Sequence, residues 1–125
     1  MNLERRVWCD EAESGLKGAY GELTPRQLAQ MVDAGSCELW RVNDDSWLVT
    51  GIEQDEKGKL LFVWSYAGKN LLDSSRAILR IARKNHIARV QFVCMRQSVA
   101  RLIAPLNPVR IEIAGNGACL YEIGV

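Results

Sequence analysis

The chain has 125 residues, of which 48% are hydrophobic and 25% are charged, and its formal net charge is +1. This size and composition fit one compact domain over residues 1–125, and the near-zero net charge argues against a protein that coats nucleic acid. No apolar run reaches the roughly 18 residues of a membrane helix, and no export signal precedes the first element, so we expect no membrane partner and a cytoplasmic location.

The first 23 residues give the weakest structural signal. The segment "RRVWCDEAES" fits the start of either a strand or a helix, and the glycines at positions 15, 18 and 21 interrupt the residues after it. The signal becomes clear at "LTPRQLAQMVDAGS", where Thr24 is a candidate N-cap, Pro25 occupies the first helical position and Gly35 comes after the last turn. This segment predicts a helix, and the role of residues 1–23 stays open.

Three strand-like runs come next, joined by short polar turns. They are "CELWRV" (37–42), "SWLVTGIE" (46–53) and "KLLFVWSYA" (59–67). Their turn chemistry predicts an antiparallel three-strand meander. Strict alternation along the third strand places Leu60, Phe62, Trp64 and Tyr66 on one face, and both faces are apolar or small. Such a pattern indicates a central strand covered on both sides.

The rest of the chain alternates helices and strands. We predict a helix over 71–85, a strand in "ARVQFVCM" (88–95), a short helix in "QSVARLIAPL" (97–106), a strand in "VRIEIA" (109–114), a "GNG" turn and a last strand in "ACLYEIGV" (118–125). A strand, a helix and a second strand form a crossover that pairs in parallel, and the last two strands form a hairpin. The predicted fold class is α/β, with a mixed sheet of the α+β kind.

This order of elements, over residues 24–125, resembles the fold of the GNAT family of N-acetyltransferases. The segment "SSRAILRIARKNHIARVQFVC" is similar to the central helix and following strand of that family. The resemblance implies that acetyl-CoA binds at the turn after the central strand, where the family has Q/R-x-x-G-x-G/A. The implied cofactor-binding residues are Ala67, Gly68, Lys69, Asn70 and Leu71. One alignment of this motif, over residues 66–71, contains neither expected glycine, and shifting it by one residue recovers only Gly68, with Ser65 at the Gln/Arg position. The turn is therefore either an anion site or an ordinary strand-to-helix connection.

The resemblance also implies a base that takes a proton from an amine and a tyrosine that protonates the leaving thiolate. The central strand has no carboxylate, and the tyrosine position of the family's late helix falls on Ala104. Candidates that remain are Glu53 as base and Tyr66 or Tyr121 as acid. Residues of these types are more often solvated strand carboxylates or core aromatic residues than catalytic groups.

Cysteines and charges suggest further possibilities. Cys9, Cys37, Cys94 and Cys119 are scattered, and with a single histidine they predict no metal site. We interpret them as core thiols of a reducing compartment, with disulfides or a reactive thiol as alternatives. From Lys69 to Arg110 there are nine bases and one acid, a pattern that fits either an anionic ligand or a solvated helix face.

The resemblance implies two alternative functions. The short chain is similar to GNAT-like proteins of bacteriophages, including small internal virion proteins, in having "AGK" before the central helix and "QSVARLIAPL" after the next strand. This implies a phage or mobile-element protein with a degenerate acetyl-CoA site that acts as a virion component or interaction module, through a protein partner or self-association. The alternative is an active N-acetyltransferase that acts on an amine. The missing glycines and the missing tyrosine favour the first, and the element order with Gly68 and Lys69 supports the second.

Overall fold

The computed structural model describes residues 2–20, 23–94, 101–113 and 117–125. The strands of these residues are β1 (Leu3–Arg6), β2 (Glu38–Val42), β3 (Ser46–Asp55), β4 (Gly58–Ala67), β5 (Arg89–Cys94), β6 (Val109–Ile113) and β7 (Cys119–Gly124). The helices are α1 (Asp10–Gly15), α2 (Pro25–Asp33), α3 (Leu71–Lys84) and a 3-10 helix (Ala104–Leu106). The strands form a single mixed sheet in the spatial order β1-β2-β3-β4-β5-β7-β6, as the α/β fold class predicted.

The N-terminal segment contains both a strand and a helix. β1 pairs antiparallel with β2, with Leu3 opposite Val42, and α1 begins after Cys9, which caps it without a side-chain hydrogen bond. The sheet therefore begins with a strand from the segment whose structure the sequence left open.

Helix α2 begins where its capping residues predicted. The Thr24 hydroxyl accepts a hydrogen bond from the Gln27 N–H at 3.1 Å, and the Gln27 side chain accepts one from the Thr24 N–H at 2.8 Å. This reciprocal capping box satisfies two N–H groups that the first turn cannot use internally. Pro25 lies at the start of the helix, where its missing N–H removes no helical bond.

Strand pairing agrees with the predicted pattern. β2, β3 and β4 form an antiparallel meander, β4 pairs in parallel with β5, and β6 and β7 form an antiparallel pair. β7 lies between β5 and β6. Of the predicted short helix, residues 97–100 lie outside the described residues, while Arg101 and Leu102 are helical and precede the 3-10 helix. Residues 115 and 116 of the predicted "GNG" turn also lie outside the described residues.

The predicted alternation along β4 is wrong beyond Trp64. Val49 lies opposite Ser65 but Thr50 lies opposite Val63, so Trp64 is an extra residue that forms a β-bulge. Beyond a bulge, each side chain points to the face of the sheet opposite to the one that strict alternation predicts. Tyr66 therefore packs in the same cluster as Val63, on the face opposite to the predicted one.

The core has two layers, one on each face of the sheet. On one face, α3 packs against Leu48, Leu61 and Val90, with its own Ile78 and Ile81 pointing inward. On the other face, Ala12 of α1 and Leu28 of α2 pack against Leu39, Trp47 and Val49. Both faces of β4 are thus covered near its middle, as its apolar pattern predicted.

Arg89 at the start of β5 joins three strands at one end of the sheet. Its guanidinium donates to Asp55 at 2.8 Å, to Glu122 at 3.1 Å and to the Gly58 carbonyl at 3.0 Å. The hydrogen bond from Arg89 holds the pKa of Asp55 at about 2, below its usual value. Arg89 and its partners lie at the start of β4, and the turn that joins β4 to α3, residues 68–70, lies at the other end of the strand.

Candidate functional site

Among the described residues, the pairing of β4 with β5 ends before the carboxyl ends of the two strands. The parallel ladder between the two strands runs only from the pair Leu61 and Val90 to the pair Val63 and Phe92. Beyond the bulge at Trp64, β4 continues to Ala67 without pairing with β5. We call this region, bounded by residues 64–67 of β4 and 93–94 of β5, the β4–β5 opening. No strand of the described residues pairs with this edge of β4, and a strand edge of this kind suits an extended ligand that carries amide groups.

The β4–α3 turn lies at the end of this opening and presents backbone N–H groups to it. Gly68, Lys69 and Asn70 are exposed, and α3 begins at Leu71. Among the described residues, none accepts a hydrogen bond from the backbone N–H groups of residues 69–72. Unpaired N–H groups and the positive end of the helix dipole favour an anion at this position.

Polar side chains of the first turn of α3 partly oppose this preference. The Asn70 side chain accepts a hydrogen bond from the Asp73 N–H at 3.4 Å and donates one to the Asp73 carboxylate at 2.9 Å. Asp73 also lies 4.0 Å from Arg76. The carboxylate of Asp73 brings negative charge to the place where a phosphate would bind, so anion binding here depends on Lys69 and the backbone donors.

Gly68 has a structural reason to be glycine. A Cβ atom at this position would lie 2.0 Å from Ser46 Oγ, 2.5 Å from Ser46 Cβ and 2.8 Å from the Tyr66 hydroxyl. Ser46 begins β3 and is fully buried. The glycine therefore allows the turn to approach β3 closely, and its presence does not by itself indicate a phosphate site.

Ser65 stands at the Gln/Arg position of the family motif in one of its two alignments. Its hydroxyl donates to the Ala19 carbonyl at 2.7 Å, so this side chain holds the loop after α1. Ser74, in the first turn of α3, is 1% exposed, and its hydroxyl has no hydrogen-bond partner among the described residues. An unpaired buried hydroxyl costs free energy, and a polar ligand group beside it would relieve that cost.

The three predicted catalytic residues lie in three places. The Tyr66 hydroxyl is 3.5 Å from Ser46 Oγ, on the β3 side of β4, next to the turn. Tyr121 is 8% exposed and stacks on Phe92 with ring centroids 5.4 Å apart, on the β5 side of the opening. Glu53 is exposed and lies opposite Leu60, at the other end of β4.

The structure therefore does not bring Glu53 to the turn. Eight residue steps along the chain separate Leu60 from Gly68, roughly 26 Å at about 3.3 Å per step of an extended strand. On the β3 side of the turn, the Oδ1 of Asp45 accepts a hydrogen bond from the Ser46 hydroxyl at 2.8 Å, and Ser46 lies against Gly68. The sequence indicated only a short polar turn over residues 43–45, and nothing in it connects Asp45 and Ser46 with Tyr66.

The remaining polar groups do not add a second site. Burial, with the nearby Glu53 and Glu38, raises the pKa of the Cys37 thiol to about 11, which makes it a poor nucleophile at neutral pH. No group of three or more potential metal ligands occurs in the described part of the chain. Within the same residues, no helix is long and apolar enough to cross a membrane.

Two surface cavities lie away from the turn. One, of about 250 Å³, lies where the residues that precede β2 meet the C-terminal end of α3, between Ser36 and Asn85. The other, of about 440 Å³, lies between the end of β1 and α2 and is lined by Arg6, Trp8 and Asp33 among others. Neither includes a residue of the β4–α3 turn.

Comparisons with known proteins agree on the fold. No family model and no curated protein matches the sequence. The chain is similar in structure to a GNAT family acetyltransferase from Elizabethkingia anophelis with acetyl-CoA bound, with a TM-score of 0.72, 10% identity and coverage of 99% of this chain and 97% of that one. It is also similar to FeeM, an N-acyl amino acid synthase from uncultured soil microbes, with a TM-score of 0.71, 13% identity and coverage of 99% and 89%.

A third similar structure is a Bacillus subtilis acetyltransferase in complex with CoA, with a TM-score of 0.66, 13% identity and coverage of 99% and 98%. The coverage includes the N-terminal segment, so β1 and α1 belong to the shared architecture. Together with the strand order and the crossover helix, these similarities show that the chain has the fold of GNAT acetyltransferases.

Proposed function

We propose that this protein binds an acyl-CoA thioester at the β4–α3 turn and transfers its acyl group to an amine. The observation that carries the proposal is the end of the β4–β5 ladder after Val63 in the described part of the chain, beside N–H groups at the start of α3 that have no described partner. Two of the similar structures contain acetyl-CoA or CoA. A thioester bound there supplies an acyl group that is activated toward a neutral amine.

In this proposal the protein positions the ligand and handles protons. Lys69 and the N–H groups of residues 69–72 hold phosphate oxygens, and the Ser74 hydroxyl gains a partner. The unpaired edge of β4 binds the amide groups of the extended arm. Tyr121 or Tyr66 donates a proton to the departing thiolate, and the proton of the amine leaves through water, because Glu53 lies at the far end of the strand.

A second candidate function is a GNAT-fold interaction module with a degenerate site, such as a component of a phage virion inside its bacterial host. The observation that favours it is the first turn of α3, where Asn70 and Asp73 bind each other and place a carboxylate among the backbone donors. The partner would bind at β6, an edge strand whose five residues are all exposed, with apolar Val109, Ile111 and Ile113 among them. An exposed strand edge invites pairing with another chain.

Isothermal titration with acetyl-CoA distinguishes these functions. The informative variant is Lys69→Glu, because Lys69 is exposed at the turn, and the matched control is Lys84→Glu at the other end of α3. Gly68 is unsuitable, since any side chain there collides with Ser46. We expect wild type and Lys84→Glu to bind with similar micromolar affinity, and Lys69→Glu to bind at least about tenfold more weakly.

The outcomes separate binding from catalysis. If wild type gives no heat and no thermal shift at millimolar acetyl-CoA, the transferase proposal fails and the interaction module takes its place. If acetyl-CoA binds and the binding depends on Lys69, release of free CoA in the presence of a panel of amines is the next measurement.

A further inference from the structure

Cys94 and Cys119 lie directly opposite each other in the sheet. Cys94 is the last residue of β5 and Cys119 is the first residue of β7, and the two are paired in the antiparallel register. Directly opposed residues of an antiparallel pair point to the same face of the sheet. Each residue is 8% exposed, and both belong to one small cluster with Tyr121 and the partly buried Phe92.

The ladder geometry sets the separation of the two residues. The Val125 N–H donates to the Ala88 carbonyl at 2.9 Å, just beyond the paired residues, so this position exchanges hydrogen bonds across the strands. Along an antiparallel ladder, hydrogen-bonded pairs alternate with non-hydrogen-bonded pairs. Cys94 and Cys119 lie six residues along the ladder from Ala88 and Val125, so they also form a hydrogen-bonded pair. Such pairs have Cα atoms about 5.5 Å apart, inside the range of about 4.4–6.8 Å that disulfides span. Their Cβ atoms, also about 5.5 Å apart, are about 1 Å farther from each other than in an unstrained disulfide, so the bond would be strained and easily reduced.

We propose that Cys94 and Cys119 form a reversible, oxidant-responsive disulfide that joins the end of β5 to the start of β7. With hydrogen peroxide as oxidant, one thiolate attacks a peroxide oxygen to give a sulfenic acid and a first water. The second thiol then attacks the sulfenic sulfur, the S–S bond forms and a second water leaves. Two thiols lose two electrons and two protons in total, and one peroxide becomes two waters. A dithiol reductant reverses the change.

The bond would close the chain between β5 and β7 into a loop that contains the 3-10 helix and β6. It would also fix the end of β5, which borders the β4–β5 opening. The other two cysteines provide an internal control, because Cys37 and Cys9 pack in the separate cluster on the α1 and α2 face. The inference does not depend on acyl transfer, since it rests on the register alone.

The test is disulfide mapping of the full-length wild-type protein. The protein is treated with hydrogen peroxide in the presence of free glutathione as a reporter of oxidation, then alkylated, digested and analysed by mass spectrometry. We expect one linked peptide pair, Cys94 with Cys119, a loss of two hydrogens in the intact mass, and full reversal by dithiothreitol. Cys37→Ser should behave like wild type, and Cys119→Ser should lose the link.

Three results would overturn the inference: a link that involves Cys9 or Cys37, a link between two chains, or recovery of both Cys94 and Cys119 as alkylated thiols after the glutathione has been oxidised. Mapping of wild type alone reaches all three results, so the test stands even if Cys119→Ser fails to fold. A second treatment in urea shows whether the fold selects the pair, because the unfolded chain should give mixed links.

Discussion

Replacing Gly68 by alanine should destabilise the protein through a collision with Ser46. The new Cβ would lie 2.0 Å from Ser46 Oγ and 2.5 Å from Ser46 Cβ, whereas carbon atoms in contact prefer about 3.5–4.0 Å. Rotation of the serine hydroxyl relieves only the first of these contacts. The Cβ of Ser46 is fixed to the backbone of β3, so the turn or the strand has to move by more than one ångström.

The expected cost is that of an overpacked core site, about 1–3 kcal/mol. We expect the upper part of this range, because moving the hydroxyl also disturbs its hydrogen bond to Asp45, worth about 1 kcal/mol. For a chain of this length, each kcal/mol lowers the thermal midpoint by about 4 °C. Urea unfolding monitored by tryptophan fluorescence measures the change, and Gly124→Ala is the matched control because nothing lies within 4 Å of its added Cβ.

A double substitution decides the cause. Ser46→Gly removes both Ser46 atoms that the new Cβ would meet, so Gly68→Ala should cost much less in the Ser46→Gly background than in wild type. If Gly68→Ala leaves the free energy of unfolding unchanged, or if its cost is the same in both backgrounds, then the close approach of the turn to β3 is not the reason for glycine at this position.

Three further substitutions test other parts of the structure. Thr24→Ala removes the capping hydroxyl of α2 and should lower the free energy of unfolding by about 1 kcal/mol in urea titrations, whereas an unchanged midpoint would contradict the capping box. Ser74→Ala removes an unpaired buried hydroxyl and places a better helix former in α3, so it should raise the free energy of unfolding by about 1 kcal/mol, and a loss of stability would mean that the hydroxyl has a partner. The folded-state pKa of Asp55 is lowered to about 2 by Arg89, so its stabilisation is complete above the unfolded pKa of about 3.9 and is lost as the pH falls toward 2. The stability difference between wild type and Asp55→Asn should therefore shrink below about pH 4, and a difference that stays constant down to pH 2 would refute the ion pair.

Sequence reasoning succeeded where hydrophobic periodicity is long and capped. α2 has its capping box, and α3 shows a continuous apolar face over 14 residues, so both were predicted close to their observed bounds. The sequence did not predict β1 and α1. β1 has four residues and α1 has six, which is too short to show a hydrophobic period, and Cys9 gives α1 no side-chain cap. A strand that short is recognised only through its pairing with β2, which lies more than thirty residues later.

The candidate site was harder to predict from the sequence than the fold. The bulge at Trp64 leaves no mark in the sequence, because residues on both sides of it fit a strand covered on both faces. The same limit applies to Gly68 and Ser46, which are 22 residues apart and meet only because β3 and β4 pair in one particular register. Contacts of this kind are fixed by tertiary structure. They give Gly68, the one glycine that matches the family motif, a packing role, so its presence does not by itself indicate a phosphate site.

The short parallel ladder between β4 and β5 has a consequence for how the protein can be divided. In the described part of the chain, the two strands share three residue pairs, whereas β3 and β4 share nine and β5 and β7 share six. A cut at the exposed His86, which lies after α3 in the left-handed conformation, would give two fragments that each keep their antiparallel ladders whole. Reassembly of the fragments would restore the three central pairs, the bonds of Arg89 to Asp55 and Gly58, and the apolar contacts of α3 and the central strands with the second fragment. The chain is therefore a natural candidate for a split reporter whose halves report on the partners fused to them.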